Sequence, residues 1–400
     1  MEKQQQLLQQ VEVSPLCQRL SQFLVDNVDI ITPCKGDDVD LRPLEYLCET
    51  QSSFAHPKDY LKFYDGKWRK AKRMNSRTRT ILIDWLAEFA YNYEFGSCVF
   101  GLAVRLFDRA CTSERIVVSD NNFQLVGVTC FMMAIKYEAA GIEAELWIDG
   151  AQRNLALGMA YMCDSKRVSK QDIIQMEARL WSNVFDFRLN VPTARAIFDL
   201  MPLKLNNEER LAVEYMLDLS AQVIKFLAYD PQDIVFAAVY IARIMFTSTT
   251  PNIQITYNDH TEKCYQDMFD LVFKPDQYIF GTPQCDTRQF HHNIYHHYAA
   301  PERGEISLKV HIRASVMHPR APDVEIILEQ AIWLKKWDTV RYILSTMPFG
   351  NLHVFVRQMG MEFPEKIENA HSIITTRYAA QVLVLSKLMS MDLFEIKSQC

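Results

Sequence analysis

Hydrophobic residues recur along most of the chain with the three- and four-residue spacing of amphipathic helices. Between Asn75 and about Val191 four such segments follow one another: RTRTILIDWLAEFAYNYE, CVFGLAVRLFDRACTS, NNFQLVGVTCFMMAIKYEAA and KQDIIQMEARLWSNVFDF. The third segment is apolar nearly all round, as expected for a helix enclosed by its neighbours. Alternating β-branched residues are scarce. The pattern therefore predicts an all-α bundle.

A second helical series begins after Pro192. It comprises TARAIFDLMPLKL, then NNEERLAVEYMLDLSAQVIKFLAYDPQDIVFAAVYIARIMF, which we expect to break near Pro231, and DHTEKCYQDMFDLVF. A polar, His-rich stretch follows, and then a further helical pattern. We divide the chain into five parts. They are an N-terminal segment (residues 1–55), a first bundle (56–191), a second bundle (192–280), a His-rich connection (281–304) and a helical region of unknown role (305–400).

The composition is that of a globular protein without general affinity for nucleic acid. Of the 400 residues, 49% are hydrophobic and 23% are charged, and the net charge is -6. A chain of this charge has no global basic field, so we expect no direct nucleic-acid partner. The longest apolar run, IVFAAVYIARIMF, is too short for a bilayer and contains Arg243, so no membrane span is expected.

Few sequence features point to chemistry of the chain's own. The ten cysteines are scattered without a C-x-x-C pair, which indicates a reducing compartment. No phosphate-binding glycine motif and no nucleophile elbow occurs, so nucleotide binding and nucleophilic hydrolysis have no support. We therefore expect no cofactor.

Two local clusters allow more than one interpretation. In HHNIYHH, His292 and His296 are spaced to share a helix face, and Cys285 lies nearby. Because no second ligand motif accompanies them, a polar connection is preferred over a zinc site, and we predict no metal. The stretch KWRKAKRMNSRTR is rich in Lys and Arg. It is either a solvated approach to the next helix or a nuclear-localisation or phosphate-contact patch.

Five blocks, in order, resemble the cyclin family, closest to its A and B types: RTILIDWLAEF, LAVRLFDRA, FQLVGVTCFMMAIKYE, QMEARLWSNVFDFRLNVPTA and FLAYDPQDIVFAAVYIAR. The resemblance runs from about Asn75 to Phe280, roughly half the chain. It implies two consecutive five-helix cyclin folds, followed here by a C-terminal helical extension. It also implies a non-enzymatic regulatory subunit, in the nucleus, the cytoplasm or both, that binds and allosterically activates a cyclin-dependent protein kinase.

The resemblance also implies two residue pairs. Arg79 and Asp108 are similar to the ion pair that ties the first two helices of the cyclin box together. Lys136 and Glu177 are similar to the pair that cyclins present to the kinase. From the residues alone, Lys136 has a second interpretation, because a lysine at a helix end also favours the negative pole of the helix dipole.

The first helix is expected to have two faces, one in the core and one with a function at the surface. Leu86 and Phe89 should enter the core, and Asp84 should lie on the polar side of the helix. The remaining edge resembles the groove in which cyclins capture Arg-x-Leu peptides of substrates or inhibitors. It is formed by Ile81, Leu82, Trp85 and Glu88 together with Gln124 from a neighbouring helix. Thr78 stands where the family's motif usually has Met, so we expect weakened or altered docking.

One departure from the family leaves the function open. The chain between Lys136 and Glu177 is longer than in A-type cyclins, and the excess lies around Gly141–Leu155, which includes Trp147 and Ile148. This insertion, together with the unfamiliar C-terminal region, motivates an alternative. In that alternative the chain is a cyclin-fold scaffold, or a transcription or adaptor protein, that binds a non-kinase partner.

Overall fold

The structure is a computed structural model, and it describes nine parts of the chain. They are residues 15–26, 41–54, 60, 76–138, 145–148, 151–163, 168–246, 259–273 and 293–317. The first residues of the N-terminal segment and residues 318–400 of the predicted helical region therefore lie outside the described residues.

Helices make up most of the described chain. In chain order they are α1 (Pro15–Asp26), α2 (Arg42–Ser53), α3 (Ser76–Asn92), α4 (Ser97–Thr112), α5 (Phe123–Glu138), α6 (Leu155–Met162), α7 (Lys170–Leu180), α8 (Ala194–Leu200), α9 (Asn207–Gln222), α10 (Pro231–Phe246), α11 (Asp259–Phe273), α12 (Asn293–Tyr298) and α13 (Ile306–Met317). The all-α prediction is confirmed.

The first repeat consists of helices α3 to α7, with α5 at its centre. Helix α5 packs against α3, α4, α6 and α7, and every residue from Val126 to Ile135 is buried. A helix can be apolar on all sides only where neighbours cover all sides, which is why its sequence lacks a polar face. At Gly127 an added Cβ would lie 2.9 Å from a methyl carbon of Leu82. Glycine at this position lets α3 approach α5 closely.

The second repeat is built around helix α10. Pro231 opens this helix at a position where the missing N–H costs least, and every residue from Pro231 to Val239 is buried. Helix α10 packs against α8, α9, α11 and α13. The expected break near Pro231 is therefore present, with a short 3₁₀ segment, Ile224–Ala228, before it.

The N-terminal helix α1 packs on the second repeat. The rings of Phe23 and Phe236 stack with centroids 4.1 Å apart. Arg19 forms ion pairs with Asp230 and with the buried Asp233 at the start of α10. Part of the predicted N-terminal segment therefore contacts the second repeat.

Two short strands occur in the otherwise helical structure. Strands β1 (Glu145–Ile148) and β2 (Ala151–Asn154) pair in antiparallel register, with Trp147 opposite Gln152. They lie within the insertion expected between Lys136 and Glu177. Asn154 ends the hairpin and caps α6, because its side chain accepts a hydrogen bond from the Leu157 N–H at 2.9 Å.

The structure differs from the expectation of a plain connection over residues 281–304. Within that range, Asn293–Tyr298 forms α12, which packs against α3, α9 and α13. Its helical structure follows from burial, since Ile294, Tyr295 and Tyr298 are all inside the molecule. Helix α13 packs against α9, α10 and α11, so the start of the predicted extension also belongs to the second repeat.

Candidate protein-interaction surface

Lys136 and Glu177 form an ion pair on the surface of the first repeat. The Lys136 ammonium lies 2.7 Å and 2.9 Å from the two carboxylate oxygens of Glu177. The Lys136 side chain is 44% exposed and that of Glu177 is 15% exposed. Both groups therefore sit at the boundary with solvent, where a partner's backbone can still reach their unused donor and acceptor positions.

Helix packing explains why these two residues meet. Lys136 occupies the last turn of α5, and α5 packs along α7. Helix α7 starts at a capping box, in which Ser169 and Asp172 exchange hydrogen bonds between side chain and backbone. These bonds lower the pKa of Asp172. Because Ile173, Met176 and Leu180 face the core, Glu177 is left at the edge facing Lys136.

Exposed apolar residues occur on the helices that carry or flank this ion pair. These residues are Tyr137 on α5, Leu157 and Tyr161 on α6, and Ile174 on α7, each between 39% and 45% exposed. Aromatic and aliphatic side chains around a charged pair are typical of a protein-binding surface. We call the ion pair and these four residues the charged-pair surface.

The insertion lies next to this surface in the chain. Strand β1 packs against α6, and the hairpin leads directly into that helix. The backbone positions of Trp147 and Ile148 are therefore known, while their side chains lie outside the described residues. Strands β1 and β2 occupy part of the extra length between Lys136 and Glu177, and they lie against α6.

The residues predicted to form the peptide groove are only partly exposed. Ile81 is 54% exposed, whereas Leu82 is buried against Gly127 and belongs to the core rather than to an exposed surface. Trp85 is half-buried, and its ring meets that of Phe89 edge to face at 4.4 Å. Glu88 and Gln124 are also half-buried. Of the two residues expected in the core, Leu86 is fully buried and Phe89 is partly buried.

Asn293 of the second repeat lies at one end of this edge. Its side-chain amide donates to the Glu88 carboxylate at 3.4 Å and to the Asp84 carboxylate at 3.0 Å. Asp84 is buried and also accepts a hydrogen bond from the Gln222 side chain. The expectation that Asp84 lies on the polar side of α3 therefore needs correction, because the second repeat covers that side.

Arg79 and Asp108 lie together in the interior. Two guanidinium nitrogens of Arg79 donate to the two Asp108 oxygens at 2.9 Å and 2.8 Å. Burial disfavours the charged guanidinium, but the Asp108 carboxylate and Tyr60 outweigh it and raise the pKa of Arg79. The Tyr60 hydroxyl also donates to Asp108 at 2.9 Å. This buried cluster can stabilise the fold and offers no surface to a partner.

Arg79 has a further set of partners that the sequence pattern does not reveal. It donates to the backbone carbonyl of Gln222 at 2.7 Å and to that of Ala221 at 3.1 Å. These carbonyls end helix α9, where the last carbonyl groups lack helical partners. The sequence signal at this point is the polar Gln222 at the end of an amphipathic helix, and that signal names no partner.

The structure describes only some of the remaining residues that the sequence singled out. His291, His292 and Cys285 lie outside the described residues, as do most of the basic residues before Arg77. His297 stacks on Tyr91 with ring centroids 3.7 Å apart. In the described part of the chain no group of three His, Cys, Asp or Glu side chains is arranged to hold a metal ion.

No described helix combines the length and apolar character needed to cross a membrane.

Comparison with known proteins identifies both repeats. Residues 43–190 match the family described as "Cyclin, N-terminal domain", and residues 198–311 match "Cyclin, C-terminal domain". Among individual relatives, the chain is 29% identical over 240 residues to G2/mitotic-specific cyclin-A1 of Caenorhabditis elegans, covering 59% of this chain and 45% of that protein. It is 28% identical over 261 residues to Cyclin-A1-2 of Arabidopsis thaliana, covering 61% of this chain and 50% of that protein.

A B-type relative shows a similar level of identity. Cyclin-B2-1 of Oryza sativa subsp. japonica is 30% identical over 176 residues, which cover 44% of this chain and 38% of that protein. The chain thus spans half or less of the length of these three relatives. Because the N- and C-terminal cyclin domains match in order along the two helical repeats, the chain belongs to the cyclin family, as a divergent member.

Proposed function

We propose that this chain is a non-enzymatic regulatory subunit that binds and allosterically activates a cyclin-dependent protein kinase. The observation that carries the proposal is the charged-pair surface, in which Lys136 and Glu177 are held 2.7 Å apart at the solvent boundary. A charged pair within a docking surface fixes the register of docking, because its remaining hydrogen-bonding positions accept few arrangements of a partner's backbone.

The proposed mechanism requires only the binding free energy of the contact between this chain and the kinase. A kinase that lacks its regulatory subunit has its regulatory helix and activation loop misplaced. A preformed helical surface that contacts only the active arrangement shifts the kinase toward it by the difference in binding free energy. Phosphoryl transfer then uses the kinase's own metal ions and side chains. The rigid packing of α5 between α4 and α7 supports this role, since a firm surface loses little entropy on binding.

The test is co-purification of the full chain with protein kinases and measurement of the kinase activity recovered. A Lys136→Ala, Glu177→Ala double variant should lose both kinase binding and stimulation. The matched control is a Lys309→Ala, Glu208→Ala variant, which removes another Lys–Glu pair between helices, this one in the second repeat. Equal stimulation by the wild type and the Lys136/Glu177 variant would refute the assignment of the contact.

We further propose that the edge of α3 recruits Arg-x-Leu substrates or inhibitors. Ile81 is exposed and Trp85 lies beside it, so they offer apolar contact to the Leu, while the Glu88 carboxylate suits the Arg.

For the location of the protein in the cell we propose the nucleus, the cytoplasm or both. Imaging a tagged chain with and without substitution of the basic stretch before Arg77 would test the nuclear part.

The second candidate function is a cyclin-fold scaffold that binds a non-kinase partner. The observation in its favour is the strand pair of β1 and β2, which packs against α6 beside the charged-pair surface and changes what a kinase would meet there. The same co-purification separates the two functions. Recovery of a stable partner without any kinase would favour the scaffold.

A further inference from the structure

The end of the α3 edge that carries Glu88 is built from both repeats. Glu88 follows Asp84 by one helical turn, so the two carboxylates lie on the same side of α3. Helix α12 of the second repeat packs against α3, and its first residue, Asn293, contacts both carboxylates. The groove proposed for Arg-x-Leu peptides therefore ends at a residue that lies outside the first repeat.

Asp84 holds Asn293 in place. The Asp84 carboxylate accepts from the Asn293 backbone N–H at 3.2 Å and from the Asn293 side-chain Nδ2 at 3.0 Å. Asp84 is itself fixed, because it is buried and accepts from the Gln222 amide at 2.7 Å. A residue bonded through both its backbone and its side chain has little freedom to rotate. The Asn293 amide is consequently a fixed donor.

The same amide nitrogen also contacts Glu88. It lies 3.4 Å from Glu88 Oε2, and a primary amide has two N–H groups, so each carboxylate can accept one. A third contact of this nitrogen, with the Asp84 carbonyl oxygen, is the longest at 3.5 Å. Two like charges one helical turn apart repel each other, and a donor between them offsets that repulsion. The Asn293 amide thus keeps the half-buried Glu88 side chain from turning away into solvent.

Glu88 keeps free capacity for a cation. A carboxylate has about four acceptor positions on its two oxygens, and Asn293 uses one of them on Oε2. Among the residues that the structure describes, no Lys or Arg forms an ion pair with Glu88. Trp85 and Ile81 precede Glu88 by three and seven positions, so they lie on the same side of α3. A peptide whose Leu contacts these two residues therefore finds the charge of Glu88 unneutralised beside it.

We propose that Asn293 is a positioning residue for peptide recognition, and that it holds the Glu88 carboxylate ready for the Arg of an Arg-x-Leu segment. A free Glu side chain loses rotational freedom when a ligand captures it, whereas one already held loses less. Because the amide is neutral, it leaves the negative charge of Glu88 to the peptide. The inference rests on the proposed recruitment of Arg-x-Leu segments, and it adds a residue of the second repeat that acts on the Arg and not on the Leu.

The test compares two labelled peptides on the full chain by fluorescence anisotropy. One contains Arg-x-Leu, and in the other the Arg is replaced by citrulline, which has a similar shape without the charge. The wild type should bind the Arg peptide about tenfold more tightly or better, through its charge-assisted bond to Glu88. Asn293→Ala should reduce this ratio of affinities about fivefold, by weakening the Arg peptide alone. A merely structural loss would weaken both peptides equally and leave the ratio unchanged.

Two further variants support the comparison. Asn190→Ala is the matched control, because it removes another asparagine hydrogen bond, the one to the Tyr46 hydroxyl at 3.0 Å, and should leave the ratio unchanged. Asn293→Ser replaces Asn293→Ala if the latter fails to fold, since Ser is favoured at the start of a helix. Its hydroxyl has one hydrogen and cannot donate to both carboxylates, so the ratio should fall as it does for Asn293→Ala.

The outcomes separate this inference from the function on which it rests. If the wild type binds neither peptide, the recruitment of Arg-x-Leu segments is refuted and the inference with it. If the wild type binds both peptides equally, or if the Asn293 variants keep its preference for the Arg peptide, the inference alone is overturned. In a Glu88→Gln background, Asn293→Ala should not change the ratio further. A further reduction there would also overturn the inference, because Asn293 would then act on the Arg without Glu88.

Discussion

The side-chain amide of Gln222, at the end of α9, donates a hydrogen bond to the Asp84 carboxylate in α3 at 2.7 Å. Both groups are buried, and they belong to different repeats. Asp84 also accepts from the backbone N–H of Asn293 at 3.2 Å. One carboxylate therefore joins the first helix of the first repeat to two helices of the second.

Replacement of Asp84 by Ala should destabilise the junction between the repeats. The variant leaves the Gln222 amide and the Asn293 N–H without their acceptor, which costs about 1–3 kcal/mol for a buried donor to a charged group. Urea denaturation should show this loss in the free energy of unfolding. Glu114→Ala, which removes an exposed carboxylate, serves as the control and should change the free energy little. An unchanged midpoint for Asp84→Ala would contradict the role assigned to this residue.

Replacement of Arg79 by Met should be more severe. It leaves the Asp108 carboxylate buried without its cation, and the expected loss of unfolding free energy is about 3–5 kcal/mol. It also leaves the Gln222 and Ala221 carbonyls without a donor. The double variant Arg79→Met, Asp108→Leu should recover part of the loss, because no buried charge remains. A double variant less stable than Arg79→Met would argue against a simple charge pair.

Removal of the Lys136–Glu177 pair should reduce partner binding with little effect on stability. Because the Lys136 side chain is 44% exposed, removal of the pair should change the free energy of unfolding by only about 0–1 kcal/mol. Kinase co-purification should nevertheless fall sharply. Thermal denaturation and pull-down on the same preparation compare the two effects. A large loss of stability would mean that the pair serves the fold rather than a partner.

The proposed peptide groove should gain affinity when Thr78 is replaced by Met. The larger side chain adds apolar area, and a gain of about 1 kcal/mol, or about fivefold in Kd, is expected for an Arg-x-Leu peptide. Fluorescence anisotropy with a labelled peptide measures the change. Trp85→Ala should abolish most of the binding in both backgrounds. Peptide affinity that is indifferent to Trp85 would place the groove elsewhere.

His297 should make the protein less stable in mild acid. Burial and the nearby charge of Arg303 lower the pKa of His297 to about 4, below its ordinary value of 6.5. Because the folded state binds this proton more weakly than the unfolded state, its contribution to stability is lost as pH falls from 6.5 toward 4. Asp218 acts in the opposite sense, because burial raises its pKa from 3.8 to about 6. Its contribution to the free energy of unfolding therefore increases as pH falls from about 6 toward 3.8.

A His297→Phe variant separates these two effects. The ring can still stack on Tyr91, but it no longer takes up a proton. The difference in unfolding free energy between the variant and the wild type should therefore move in favour of the variant as pH falls below 6.5. Parallel pH profiles for the two proteins would show that His297 does not titrate in this range.

Periodicity and local signals in the sequence determined the helical architecture. The apolar positions of α5 and the Pro at the start of α10 each act through neighbours in the chain, so their effect is visible without a structure. The order of the blocks was sufficient to suggest the family, and the comparisons with cyclin domains confirm it. The residues named for kinase and peptide binding came from the same resemblance, and their roles stay predictions.

Tertiary structure alone decided which residues meet across the two repeats. Asp84 and Gln222 are separated by 138 positions, and Asp84 and Asn293 by 209, so no local pattern links them. Arg79 likewise meets the Gln222 and Ala221 carbonyls, more than 140 positions away, only in the folded chain. A hydrogen bond depends on position and direction in space, whereas helical periodicity reports only which side of a helix is covered.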